Sequence, residues 1–164
     1  MTTHTDPLVS TEWLAARLGD PKVKIIDASF KMPGVLPLPI DDYLAAHIPG
    51  AVFFDIDDIC DETSPLPHML PHPVKFSSRM RKLGLGDGSR FVVYDTEGLY
   101  SAARVWWMLR AMGHDSDIFA LTIDDVLQGE AGVSITAVLG DERALKITTP
   151  EDVVIAQAYI EEQR

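Results

Sequence analysis

One thiol, five imidazoles and a cluster of carboxylates are the groups in this chain most able to do chemistry. The thiol is Cys60, set in the acidic run Asp57-Asp58-Ile59-Cys60-Asp61-Glu62. Surrounding negative charge disfavours the thiolate, the form that attacks carbon or sulfur. The residues therefore favour a small apolar side chain at a strand-to-loop corner over a nucleophile. His68 and His72 are four apart, a helical spacing for a shared metal, but Pro67, Pro71 and Pro73 argue against the helix that would bring both onto one face. The order of Asp55, Asp57, Asp58, Asp61 and Glu62 lacks a calcium-loop pattern, so a solvated acidic rim is expected. Neither a metal nor a cofactor is expected.

The remaining candidate is a loop. In RFVVYDTEGLYSAARVWWMLRAMG, Arg90 to Gly113, the run Phe91–Tyr94 prefers a strand and Asp95–Leu99 is polar with one glycine. Ala102, Val105, Trp106, Leu109 and Met112 then recur at helical spacing. Strand, loop and helix in that order place Asp95 where open α/β sheets receive ligands and anions. Trp106 and Trp107 are adjacent on that helix, so one is expected in the core and the other under a loop or against a partner domain.

The elements that must position these groups alternate. A helix is expected from Val9 capped by Ser10, with Trp13, Leu14, Ala16 and Leu18 inward, followed by a central strand at Val23–Ala28. One or two helical turns over Asp41–His47 lead to a second strand at Ala51–Ile56. Asp61–Pro73 carries four prolines in thirteen residues and reads as a stiff loop. A helix over Phe76–Leu83 should turn Met80 and Leu83 inward and Arg79, Arg81 and Lys82 outward. Further strands are expected at Asp117–Thr122 and Val133–Leu139. Thr149-Pro150-Glu151-Asp152 opens a last helix to about Glu162. The alternation predicts an α/β fold with a mainly parallel central sheet and helices on both faces.

Bulk properties narrow the function classes. The chain has 164 residues, enough for one substantial core, and a formal net charge of -11, which disfavours nucleic acid and anionic membrane surfaces as partners. A single cysteine precludes an intramolecular disulfide, and the start MTTHTDPLVS lacks a basic and apolar leader. A cytoplasmic location is the simplest expectation.

Val9 to about Asp115 resembles the N-terminal domain of the two-domain thiosulfate and 3-mercaptopyruvate sulfurtransferases, of the rhodanese family. The resemblance runs through LVSTEWLAARL, IIDAS, HIPGAVFFDID, TSPLPHMLP and YDTEGLYSAARVWWMLRAMGH. It implies a rhodanese-like fold over residues 9–115, while the polar character of the start leads us to expect a disordered 1–8. It also implies sulfane sulfur transfer from a small-molecule donor to a thiol acceptor through a cysteine persulfide. In that chemistry a thiolate lies in a loop of converging backbone N–H groups. Asp95 stands at the position of that nucleophile and cannot carry sulfur, as the resemblance implies for the non-catalytic half of such enzymes. By the same resemblance, Asp57 and His68 would face the catalytic loop of the other half as a carboxylate orienting an imidazole.

Residues 116–164 depart from that pattern. From Thr122 to Gln163, above all at KITTPED, they resemble the C-terminal end of the 2-C-methyl-D-erythritol 4-phosphate cytidylyltransferases, which implies a phosphate-facing role for Lys146. The expectation is a mosaic whose tail completes the sheet, a sulfurtransferase-family chain that is catalytically incomplete. It would carry an exposed docking face that favours a homodimer. Two other functions are a non-enzymatic rhodanese-like binding or regulatory module, with the Asp95 loop receiving a ligand or partner, and a cytidylyltransferase-related protein.

Overall fold

A computed structural model of the chain describes residues 7–114 and 118–122. The elements run α1 (Thr11–Ala15), β1 (Val23–Asp27), α2 (Pro39–Ala45), β2 (Ala51–Phe53), α3 (Pro73–Lys82), β3 (Arg90–Asp95), α4 (Ala102–Ala111) and β4 (Ile118–Thr122). The four strands form one parallel sheet in the order β2-β1-β3-β4. β1 and β3 are therefore central, as their apolar, β-branched sequences require of strands covered on both faces.

Alternation along β3 shows how the two faces are filled. Phe91 and Val93 join Ile26, Phe54, Phe76, Met80, Val105, Met108 and Leu109 on one side, beneath α3 and α4. Val92 and Tyr94 point the other way, with Val9, Leu14, Ile25, Ala51, Phe119 and Leu121. On that second side the Tyr94 hydroxyl accepts a bond from Ile48 N at 3.2 Å, and burial drives its pKa far up. The free edge of β4 is occupied by the start of the described chain: Ala120 N donates to Pro7 O at 2.8 Å and Val9 N donates to Ala120 O at 3.3 Å.

Several local expectations change. Ser10 does cap α1, its hydroxyl accepting from Trp13 N at 3.2 Å, but the helix stops at Ala15 and leaves Leu18 exposed. α3 begins at Pro73, three residues before the expected Phe76. His72 accepts from Val74 N and Pro73 occupies the first turn, where a missing N–H costs nothing. Arg79 was expected to face solvent, yet it turns back to Asp58: Nη2 donates to Oδ1 at 2.7 Å and Nε lies 2.6 Å from Oδ2. Of the tryptophan pair, Trp106 packs on the core and donates from Nε1 to Ile118 O, while Trp107 is exposed. The strand expected at 133–139, the helix from 149 and Lys146 lie outside the described residues.

Candidate functional site

The chain leaving β2 makes a tight turn around Asp55. Its Oδ1 accepts from Asp57 N at 3.0 Å and Asp58 N at 3.3 Å, and Ile59 N donates to Asp55 O at 2.9 Å. Phe54, Ile56 and Ile59 are the buried anchors, so the intervening carboxylates are driven outward. Asp58 is held by Arg79, and the Asp57 side chain stays 70% exposed.

The proline loop then returns to this turn. Asp61 N donates to Met69 O at 2.8 Å and closes the base of the loop. At its start the Asp61 carboxylate accepts from both Thr63 N and Thr63 Oγ1, which lowers its pKa. His68 near the far end has φ 54°, in the left-handed region. Its Nε2 lies 2.7 Å from Asp57 Oδ1, and its ring stands edge-on to Phe30 with centroids 5.2 Å apart. An ionised carboxylate only accepts, so this contact specifies the imidazole proton on Nε2.

The structure thus brings together the two residues that the sequence resemblance paired. Cys60 lies beneath them, but pointing inward: Sγ donates to Asp57 O at 2.9 Å. Burial raises the thiol pKa above its ordinary 9.0; Lys75 opposes the shift, while Glu62, Asp57 and Asp58 add to it. The acidic surroundings noted in the sequence contribute, and burial contributes more. His72 is committed to the α3 cap, and among the described residues no group of three or more His, Cys, Asp or Glu is placed to hold a metal ion.

The loop after β3 has the shape expected of an anion cradle, and its own side chain fills it. Asp95 is fully buried. Its Oδ1 accepts from Glu97 N at 2.9 Å and Leu99 N at 3.0 Å, and its Oδ2 accepts from Ser101 N at 2.7 Å, Ala102 N at 2.6 Å and Ser101 Oγ at 3.4 Å. Gly98 and Leu99, with φ 72° and 67°, turn successive N–H groups toward one point. Thr96 N is taken up separately by Ser29 Oγ at 3.2 Å. Asp95 therefore meets the donors of its own loop and the first turn of α4.

Residues 10–122 match the model of the rhodanese-like domain. The chain belongs to the rhodanese-like domain family. Among its relatives, 3-mercaptopyruvate sulfurtransferase of Escherichia coli is 41% identical, over 90% of this chain and 56% of that protein. The mitochondrial thiosulfate/3-mercaptopyruvate sulfurtransferase 1 of Arabidopsis thaliana is 49% identical, over 68% of this chain and 29% of that protein. A crystal structure of an E. coli 3-mercaptopyruvate sulfotransferase superposes with a TM-score of 0.67 at 36% identity, covering 94% of this chain and 62% of that one. The chain thus spans under two thirds of each of these proteins. The E. coli sequence match takes in enough of this chain to run well past residue 122, into the tail for which a different parentage was expected.

Within this rhodanese-like domain one residue near the pair escaped the sequence reading. Arg104, on the first turn of α4, donates from Nη2 to the main-chain carbonyl of His68 and lies over the Trp107 ring, 5.0 Å from its centroid. Burial lowers its pKa. The signal available in sequence was a cation in the first turn of an apolar helical run, three residues before a tryptophan. No described helix is long and apolar enough to cross a membrane.

Proposed function

We propose that residues 9–122 serve as the non-catalytic half of a thiosulfate/3-mercaptopyruvate-type sulfurtransferase, with Asp57 and His68 as the supporting pair for a cysteine carried on another domain. The observation that carries this is the filled cradle. The loop that would hold a thiolate and its persulfide contains instead a carboxylate satisfied by five donors. A carboxylate has no sulfur lone pair with which to take up a sulfane sulfur, so the described residues supply orientation and proton transfer without the nucleophile.

The Asp57–His68 pair suits that division of labour. Both side chains reach solvent, at 70% and 30% exposure, on a surface that also carries Met69, Trp107, Met32 and Tyr100, all exposed. Tyr100 Oη lies 3.9 Å from Met32 Sδ, which joins the loop after β1 to the loop after β3. This is the face on which a cysteine-bearing domain, or a second copy of the chain, would dock, with a small sulfur donor and a thiol acceptor between them. Cytoplasmic residence belongs to the same proposal.

The test is sulfur transfer from 3-mercaptopyruvate or thiosulfate to cyanide, with mass spectrometry of the protein after exposure to the donor. Pure protein should neither turn over nor gain one sulfur on Cys60. A cysteine-bearing rhodanese domain added in trans should gain activity that His68→Gln abolishes. Turnover by the pure chain that disappears in Cys60→Ser would overturn the proposal. A second reading rests on KITTPED alone and gives Lys146 a phosphate-facing role; CTP-dependent pyrophosphate release tests it.

A further inference from the structure

The imidazole of the Asp57–His68 pair hangs from an unusual piece of backbone. His68 has φ 54°, a conformation that costs a non-glycine residue on the order of 1 kcal/mol or more and persists only when neighbours enforce it. Its loop is tied at the base by the Asp61 N to Met69 O bond, and Phe30 meets the ring edge. Neither contact fixes the orientation of the His68 peptide. Arg104 meets that peptide directly, through the bond from Nη2 to the His68 carbonyl.

Arg104 is itself held. It leaves α4 two residues after Ala102, whose N–H donates to Asp95 Oδ2, and its guanidinium lies over Trp107. It belongs to none of the salt bridges among the described residues, and its Nε is buried without a hydrogen-bond partner there. A half-buried cation bonded to a main-chain carbonyl, with no carboxylate beside it, gains less than a paired one and must offset its own desolvation.

We propose that Arg104 is the positioning residue of the pair: by holding the His68 carbonyl it keeps the backbone left-handed and the imidazole aimed at Asp57. Without that donor the peptide relaxes toward an ordinary φ, the Cα–Cβ bond swings, and Nε2 leaves Oδ1. The inference rests on the proposed supporting role of Asp57 and His68 for its functional meaning, but not for its test.

The test is 15N NMR of the imidazoles in the whole protein at about pH 9, above the ordinary histidine range. In the native protein His68 should show two widely separated nitrogen resonances, the mark of a proton fixed on Nε2. Arg104→Met keeps an apolar stem over Trp107 but removes the donor. It should contract that separation toward the value of a free histidine peptide measured alongside, while His47 and His114, bonded to Tyr43 O and Ser89 O, stay unchanged. Arg104→Lys keeps a donor and should retain more of the separation than Arg104→Met. An unchanged His68 in Arg104→Met overturns the proposal, and so does an equal loss in both variants. If Arg104→Met does not fold, Arg104→Gln, too short to reach the carbonyl, replaces it under the same criteria. Failure of the supporting role would appear separately, as activity in trans that survives His68→Gln.

Discussion

Replacing Asp95 with asparagine changes almost no volume and removes one negative charge from a fully buried site. The amide oxygen can still accept from one pair of donors, either Glu97 N and Leu99 N or Ser101 N and Ala102 N. Whichever pair it takes, the amide NH2 faces the other, donor against donor, at sites that now hold bonds of 2.6 to 3.0 Å. Two N–H groups left without acceptors cost about 1–3 kcal/mol each where they are buried, so Asp95→Asn should destabilise the domain by about 2–6 kcal/mol, toward the lower end if the part-buried Glu97 and Leu99 are the pair left unmet, a large fraction of the roughly 5–15 kcal/mol typical of a folded domain. In thermal unfolding followed by circular dichroism that corresponds to a Tm lower by about 4–24 °C for a chain of this size, at about 2–4 °C per kcal/mol. Asp95→Ala sharpens the attribution, because it leaves the donors facing a carboxylate-sized gap. Added formate should then raise the Tm of Asp95→Ala more than sodium chloride at equal ionic strength, and should do nothing comparable for the native protein. Stability of Asp95→Asn within about 0.5 kcal/mol of native, the range of ordinary surface substitutions, would refute the view that this carboxylate organises the loop.

Other perturbations have equally definite outcomes. Cys60 should react with iodoacetamide far more slowly in the native protein than in urea at pH 7, because burial raises its thiol pKa and hides its sulfur; equal rates would contradict the inward placement. The folded-state values of Cys60 and Tyr94 are both raised, so their contribution is complete below the unfolded values and is lost as pH climbs through the folded ones. Urea midpoints should accordingly fall above about pH 9, where unfolded thiols begin to ionise, and the fall should be shallower in Cys60→Ser. Asp57→Asn should shift stability by only about 0.5 kcal/mol, as expected of an exposed side chain, while reducing sulfur transfer in the trans assay. A double-mutant cycle of Asp58→Ala and Arg79→Ala should give a favourable coupling that weakens with added salt.

Much of the sheet was legible because its signals are local. Phe91–Tyr94 and Val23–Ala28 are apolar runs too short for helices, and the helix after the Asp95 loop announces itself by its period. The start of α3 was not legible, since His72 and Pro73 sit at the end of a proline-rich loop and look like its continuation, although they form a cap and a first turn. Arg79 was misplaced because helical period predicts a direction and says nothing of an aspartate 21 residues earlier that folds back to meet it. The Asp57–His68 pair came from family resemblance; spacing alone does not bring together residues eleven apart across a stretch of loop with two prolines. Arg104 was invisible for a related reason: its partner is a main-chain carbonyl 36 residues away, and a carbonyl has no sequence signature. The position of the loop after β3, between a strand and a helix, was legible, but sequence could not show that its converging N–H groups are taken up by its own Asp95.

The pairing of residues 7–9 with β4 has a consequence for how the chain is made. Strand β4 is the last described strand of the sheet in sequence, and its outer edge receives the earliest described residues. During synthesis Pro7–Val9 emerges before every described strand but cannot pair with β4 until residue 122 has cleared the ribosome, more than a hundred residues later. Closure of this sheet edge thus waits for β4, and Val9, buried in the finished domain, stays exposed to chaperones and proteases throughout that interval. Nascent chains stalled before β4 should accordingly be cut near Val9 by proteases that leave the completed domain intact.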